Sequence, residues 1–142
     1  MSSKRVTAQQ KRRVIDRANG CCEYCHSQLH FTNHSFSIEH IIPKSQDGES
    51  DLDNLALSCQ SCNNHKYTKT EGVDPLSGRI VPLYHPRHHQ WKVHFAWNDD
   101  CVLIIGLTPT GRATVETVRL NKLGLINLRR ILYAAGKHPP FI

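Results

Sequence analysis

The sequence predicts an α+β fold, a small ββα module with an added β-hairpin and C-terminal helices. Three observations predict it. Two C-x2-C pairs, Cys22/Cys25 and Cys59/Cys62, frame one stretch of chain. Inside that frame "FSIEHII" and "NLALS" read as short strands around a polar loop, and "CNNHKYTK" opens a helix behind the second pair. Beyond it, "WKVHFAW" and "CVLIIGL" flank "NDD" as a hairpin, and two helical patterns follow.

The first element is a helix over residues 8–18. Thr7 with Gln10 is a capping-box start, and Gly20 is a stop. Val14, Ile15 and Ala18 face a core while the basic residues face solvent. "FSIEHII" alternates apolar positions, is β-rich and is stopped by Pro43. "KSQDGESD" is a polar loop. The composition shifts at "GVDPLSGRIVP", which reads as a connector over residues 72–82. "TGRATVETVRL" and "KLGLINLRRILYAAG" read as helices ended by Gly136, with Val115, Val118, Leu128, Ile131 and Leu132 packed inward. Residues 1–71 are thus expected to form the module, and residues 72–142 an extension packed on the same domain.

Composition narrows the function classes. At 142 residues with 39% hydrophobic side chains, the chain supports one modest core. The net charge of +6 suits a polyanionic partner. Lys4, Arg5, Lys11, Arg12, Arg13 and Arg17 gather near the start, and Arg112, Arg119, Lys122, Arg129, Arg130 and Lys137 near the end. Acids Asp47, Glu49, Asp51 and Asp53 gather between them. "MSSKRVTAQQKRRV" has no apolar core of a signal peptide, and no apolar run is long enough to span a membrane. A cytoplasmic location is expected. There, six cysteines point to metal ligands or free thiols rather than disulfides.

Each C-x2-C closes a turn that aims two thiolates at one ion, and two pairs complete a tetrahedral zinc site. The gap between the pairs holds the strand–loop–strand unit that carries Glu39, His40 and Asn54. Zinc would therefore staple both ends of that unit. Cys21 competes with Cys22, but its spacing to Cys25 is wrong. Cys101 falls in a predicted strand as a small buried hydrophobe.

The run "CEYC…IEHIIPKSQDGESDLDNLALSCQSCNNHK" resembles the HNH endonucleases. Their ββα-metal fold is often braced by two such zinc knuckles. The resemblance covers residues 12 to 70: acid-His, a loop, Asp-Asn-Leu, then C-x2-C-N-x2-K. It implies Glu39 as a metal ligand, His40 as the base, Asn54 as its orienting partner and Asn63 as a second metal ligand. The tail also looks like that of compact bacterial HNH proteins.

Phosphodiester hydrolysis needs a nucleophilic water, a base, and positive charge beside the phosphate. Neutral imidazole is available near pH 7, so His40 suits the base. An amide oxygen of Asn54 could hold its other ring N–H. The Glu39 carboxylate and Asn63 carboxamide offer the oxygen ligands that Mg2+ or Mn2+ prefers. Neighbours on a regular strand point to opposite faces, so Glu39 and His40 reach one phosphate only where the strand ends. Lys66, one turn beyond Asn63, and Arg129 and Arg130 are expected to meet phosphates, with solvated or scaffold positions as the alternative. Trp91 and Trp97 read as hairpin core, and the histidines of "HPRHH" as exposed.

The reading is a metal-dependent endonuclease that nicks DNA, with structural zinc and a catalytic divalent ion. The alternative is a zinc-stabilised DNA-binding module without catalysis. A purely structural zinc adaptor leaves the two basic ends unexplained. Neither oligomeric state nor biological role is legible.

Overall fold

A computed structural model describes residues 5–141, so Lys4 of the basic N-terminal cluster lies outside the described residues. Helix α1 (Ala8–Arg17) begins at a complete capping box: Thr7 Oγ1 accepts from Gln10 N, and Gln10 Oε1 from Thr7 N. Such a cap contributes about 1 kcal/mol. The helix buries Val14 and Ala18 against Leu55 and Leu57. Arg17 donates to the carbonyls of Leu52 and Leu55, tying α1 to the segment behind it.

Strands β1 (Ser37–His40) and β2 (Leu55–Ser58) pair antiparallel, and helix α2 (Gln60–Lys66) follows directly. Cys59 is its N-cap, so one residue both ends the strand and starts the helix. This is the ββα unit the alternation predicts. Every β2 residue is buried, because α1 covers one face and the cysteine cluster borders the other.

The stretch expected as a connector is structured. Strands β3 (Glu71–Val73) and β4 (Ile80–Pro82) form a hairpin, because Asp74 builds the turn between them. Its carboxylate accepts from Leu76 N and Ser77 Oγ and takes a two-pronged bond from Arg112 on helix α4 (Pro109–Val118). The guanidinium holds that carboxyl well below the usual carboxylate range. The predicted hairpin over residues 91–107 is shorter than expected. Trp91–His94 is a helical turn, α3, and only β5 (Phe95–Trp97) and β6 (Ile104–Gly106) pair. Cys101 sits in their turn at a φ of 60°, partly exposed, rather than in a strand.

Two glycines let α4 lie directly on β6. A Cβ on Gly106 would stand 2.5 Å from Arg112 N, and one on Gly111 2.1 Å from His94 O. Thr108 caps α4 with Pro109 at its first position, a favoured start. Helix α5 (Leu123–Ala134) ends the chain's regular structure, and Gly136 follows with a φ of 73°. Val118 is buried as expected and Val115 packs on the core, but Ile131 is 67% exposed. One apolar cluster joins Cys22, Tyr24 and Cys62 with Leu83, Phe95, Ile104, Val118 and Leu120. No helix is long and apolar enough to cross a membrane among the described residues.

Arg129 departs most from expectation. It is 4% exposed, and its guanidinium donates to the carbonyls of Val102 and Leu120 and to Asn121 Oδ1. It also lies over the Trp97 ring, 5.0 Å from the centroid. Five fixed donors suit a place where several orphan carbonyls converge, so it ties α5 to the hairpin and faces no phosphate. Arg130, one residue on, is exposed. Arg129→Ala is expected to lower the unfolding free energy by about 3 kcal/mol or more, by stranding buried acceptors. Arg130→Ala should stay within about 0.5 kcal/mol. Urea denaturation followed by tryptophan fluorescence compares them, and equal small losses would remove Arg129 from the scaffold.

Candidate functional site

The site begins with four sulfurs. Sγ atoms of Cys22, Cys25, Cys59 and Cys62 lie within 4.8 Å of one another, all buried. Zinc–sulfur bonds of about 2.3 Å at tetrahedral angles put sulfurs about 3.8 Å apart. The Cys25–Cys59 separation is 3.7 Å, so the cluster fits that ion. Hydrogen bonds from Cys22, Cys59 and Cys62 draw the Cys25 thiol down, while burial pushes Cys22 up. Four thiols this close can share one negative charge, and a bound zinc ion deprotonates them all. The cluster suggests a structural zinc. Cys21 stays outside it, with its Sγ near Asn19 O.

The first knuckle places a residue that sequence reasoning missed. Tyr24, between Cys22 and Cys25, is fully buried and donates its hydroxyl to Glu39 Oε1. Glu39 lies on β1 opposite Ala56 and is 5% exposed. Its Oε2 is 2.8 Å from Lys66 Nζ, while that ammonium donates to Ile41 O at 3.0 Å. Oε2 itself accepts no aligned hydrogen bond among the described residues. Burial pushes the Glu39 carboxyl up, and Lys66 opposes that shift.

Lys66 is therefore not the surface phosphate contact expected of it. It is 2% exposed, because α2 turns it onto β1, where the buried Glu39 requires a compensating charge. The ion pair joins the two elements that flank the cysteine cluster.

His40 is the last residue of β1, opposite Leu55, and meets different partners from Glu39. Its Nε2 pairs with Ser50 Oγ at 2.9 Å, and the ring is part-exposed. Burial and the nearby Lys44 charge push its pKa below the ordinary histidine value. The ring is neutral at neutral pH, the state a general base needs. Nδ1 has no hydrogen-bond partner among the described residues.

Asn54 does not touch that ring. Its Oδ1 accepts from Ile42 N, and its Nδ2 donates to the carbonyls of Ile42 and Glu49. A carboxamide has both donors and an acceptor, so one side chain zips the two edges of the loop. Asn54 thereby fixes the backbone that follows His40, and the ring's own partner is Ser50. Ser50 carries no periodic signal in "DGESD", so only the folded loop reveals it. Gly48 closes this loop with no room for a side chain, since a Cβ would stand 1.7 Å from Ile42 O.

Asn63 sits on α2 one residue after Cys62, partly exposed, and its backbone belongs to the helix ladder. The oxygens of Glu39 and Asn63 are of the kind a hard divalent ion takes, and Oε2 of Glu39, ion-paired with Lys66, accepts no aligned hydrogen bond among the described residues. These two side chains would be the ones to hold such an ion, with Lys66 beside Glu39.

Elemental analysis of the purified chain should find close to one zinc per molecule. Cys62→Ser is expected to lose it and to unfold the module, since structural zinc contributes folding free energy directly. A well-folded, zinc-free protein would overturn the assignment.

Comparison with known proteins bears on this geometry. The chain is 25% identical over 121 residues to the Septu protein PtuB of Bacillus thuringiensis. That match covers 84% of this chain and 44% of the relative, so the chain spans less than half the length of that curated protein. The family model for HNH endonuclease matches residues 22–69, the stretch from the first zinc knuckle past α2. An HNH domain implies a nucleic-acid partner and nuclease or DNA-binding activity. Residues 22–69, with both cysteine pairs and the ββα unit, are thus the stretch that matches the HNH endonuclease family.

Proposed function

We propose that the protein is a metal-dependent endonuclease that hydrolyses DNA phosphodiester bonds, nicking one strand per site. One observation supports it above the rest: His40 is a part-exposed, neutral imidazole whose ring is oriented by Ser50 beside the carboxylate Glu39. A DNA-binding module without catalysis gives no reason for a positioned neutral base next to a buried acid.

His40 takes the proton of the attacking water on Nδ1, with Ser50 on the opposite nitrogen. A Mg2+ or Mn2+ ion, held by Glu39 and Asn63, would supply positive charge to the phosphate and the departing oxygen. Asn54 acts through the loop backbone, and Tyr24 and Lys66 keep Glu39 in place. Residues 1–71 hold this chemistry, and residues 72–142 are a packed extension that completes the core. Exposed Lys11, Arg12 and Arg13 on α1, Arg119 and Lys122 between α4 and α5, and Arg130 on α5 are among the basic side chains that can attract a polyanion.

His40→Ala is expected to reduce nicking of supercoiled plasmid by ~10²–10⁴-fold, with zinc content and DNA affinity unchanged. Full activity in that variant would assign the base elsewhere.

Glu39→Ala and Asn63→Ala should raise the Mn2+ concentration needed for half-maximal nicking, or abolish it. Zinc content stays at the wild-type level in both. Cutting with an unaltered Mn2+ requirement would remove these residues from the ion.

A further inference from the structure

The histidines of "HPRHH" are not the exposed run the sequence suggests. His85 and His89 are half-buried, and only His88 is exposed. They line one wall of a cleft of about 220 Å³. Ile41 and Ile42, the two residues after His40, line it too, with Leu83, Tyr84 and Lys66. The volume falls below the ~300–1,000 Å³ of pockets for drug-sized ligands and suits a single planar ring system.

The protonation pattern of this wall is fixed by backbone donors. His85 Nδ1 accepts from the N–H of Arg87 and of His88. His89 Nδ1 accepts from the N–H of His85. A neutral imidazole that accepts on one nitrogen carries its proton on the other, so both rings turn an Nε2–H donor away from the loop. Their Nδ1 lone pairs are spent and their Nε2 atoms protonated, which is the wrong state for metal ligands. In agreement, the cysteine cluster is the one metal-competent group of such residues among those described.

Burial, with the neighbouring His88 and His89 rings, pushes His85 down to about 4, and burial also lowers His89. At neutral pH these two histidines therefore offer uncharged N–H donors, suited to the acceptor atoms of a base, while Lys66, which also lines the cleft, is already paired with Glu39. His88 stacks on His85 with centroids 3.8 Å apart and planes 6° from parallel. The pair presents an aromatic platform among the residues that line the cleft.

We propose that this cleft binds one unstacked nucleobase of the DNA strand at the His40 site, reading it through the Nε2–H donors of His85 and His89. The inference rests on the nuclease reading for its ligand class and deepens it: the extension supplies a base-binding subsite to the HNH domain. The exposed His88 ring takes one face of the base, apolar Ile41, Ile42 and Leu83 border the other, and the Nε2–H groups of His85 and His89 take base carbonyl or ring-nitrogen acceptors. A base seated there stands beside the strand end that carries the catalytic imidazole.

The test is equilibrium binding by fluorescence anisotropy, without added divalent ion, so it does not depend on cleavage. The probes are octathymidylate and an octamer of the same backbone with every base removed. Wild type should bind the base-bearing strand at least ~5-fold tighter, the low end of one base–aromatic stack. His88→Ala, an exposed position, and His85→Phe, which keeps the ring but loses the Nε2–H donor together with the Nδ1 acceptor of the loop N–H groups, should bring the ratio within twofold, with circular dichroism confirming that both stay folded. Both should leave affinity for the abasic strand unchanged. Equal binding of the two strands by wild type overturns the subsite while leaving the nuclease reading intact. A ratio preserved in His88→Ala and His85→Phe overturns it as well. Failure to bind either strand removes the nucleic-acid reading together with the subsite.

Discussion

Four buried thiols converging on one point, a site that would hold a zinc ion, constrain everything else in this protein. The cluster joins a turn after α1 to the junction of β2 and α2, two points far apart in sequence. A chain with a modest core gains little from burial alone, at about 1.5–3 kcal/mol per fully buried aliphatic side chain. A zinc site adds a crosslink whose binding energy is folding energy. The position of the ββα unit between the cysteine pairs would make the site's geometry depend on that metal.

The dependence can be followed atom by atom. The first knuckle holds Tyr24, whose hydroxyl binds Glu39. The second begins α2, which turns Lys66 onto the same carboxylate. A buried acid with two such partners is held in one place, and removing either partner leaves an uncompensated group. On the other side, Asn54 zips the loop so that Ser50 reaches His40. Two independent devices thus position two adjacent residues.

The extension is more than a cover. Arg129 gathers carbonyls from the β5–β6 turn and the α4–α5 link, and Thr114 on α4 bonds the backbone of Tyr84. These contacts fix the segment that runs into the histidine loop. Asp74 and Arg112 do the same for the β3–β4 hairpin. Polar groups rather than apolar bulk set the geometry here, as befits a core this small.

What the sequence by itself determined is whatever depends on local spacing. Capping at Thr7, the two C-x2-C turns, strand alternation around Glu39 and His40, and the helix behind Cys59 all follow from neighbours in the chain. The hairpin at residues 71–82 was also local, since "DPLSG" names its turn, but proline and glycine density made it read as a connector. The tertiary structure decided the fate of polar side chains. Lys66, Arg129 and Arg130 are the same kind of residue on exposed-looking helices, and only packing separates the first two, buried against a carboxylate and a set of carbonyls, from the third. Likewise Asn54 turned to the backbone rather than to His40, and Ser50 took its place. A charge or amide finds its partner through space, and no spacing along the chain encodes which orphan group will be waiting there.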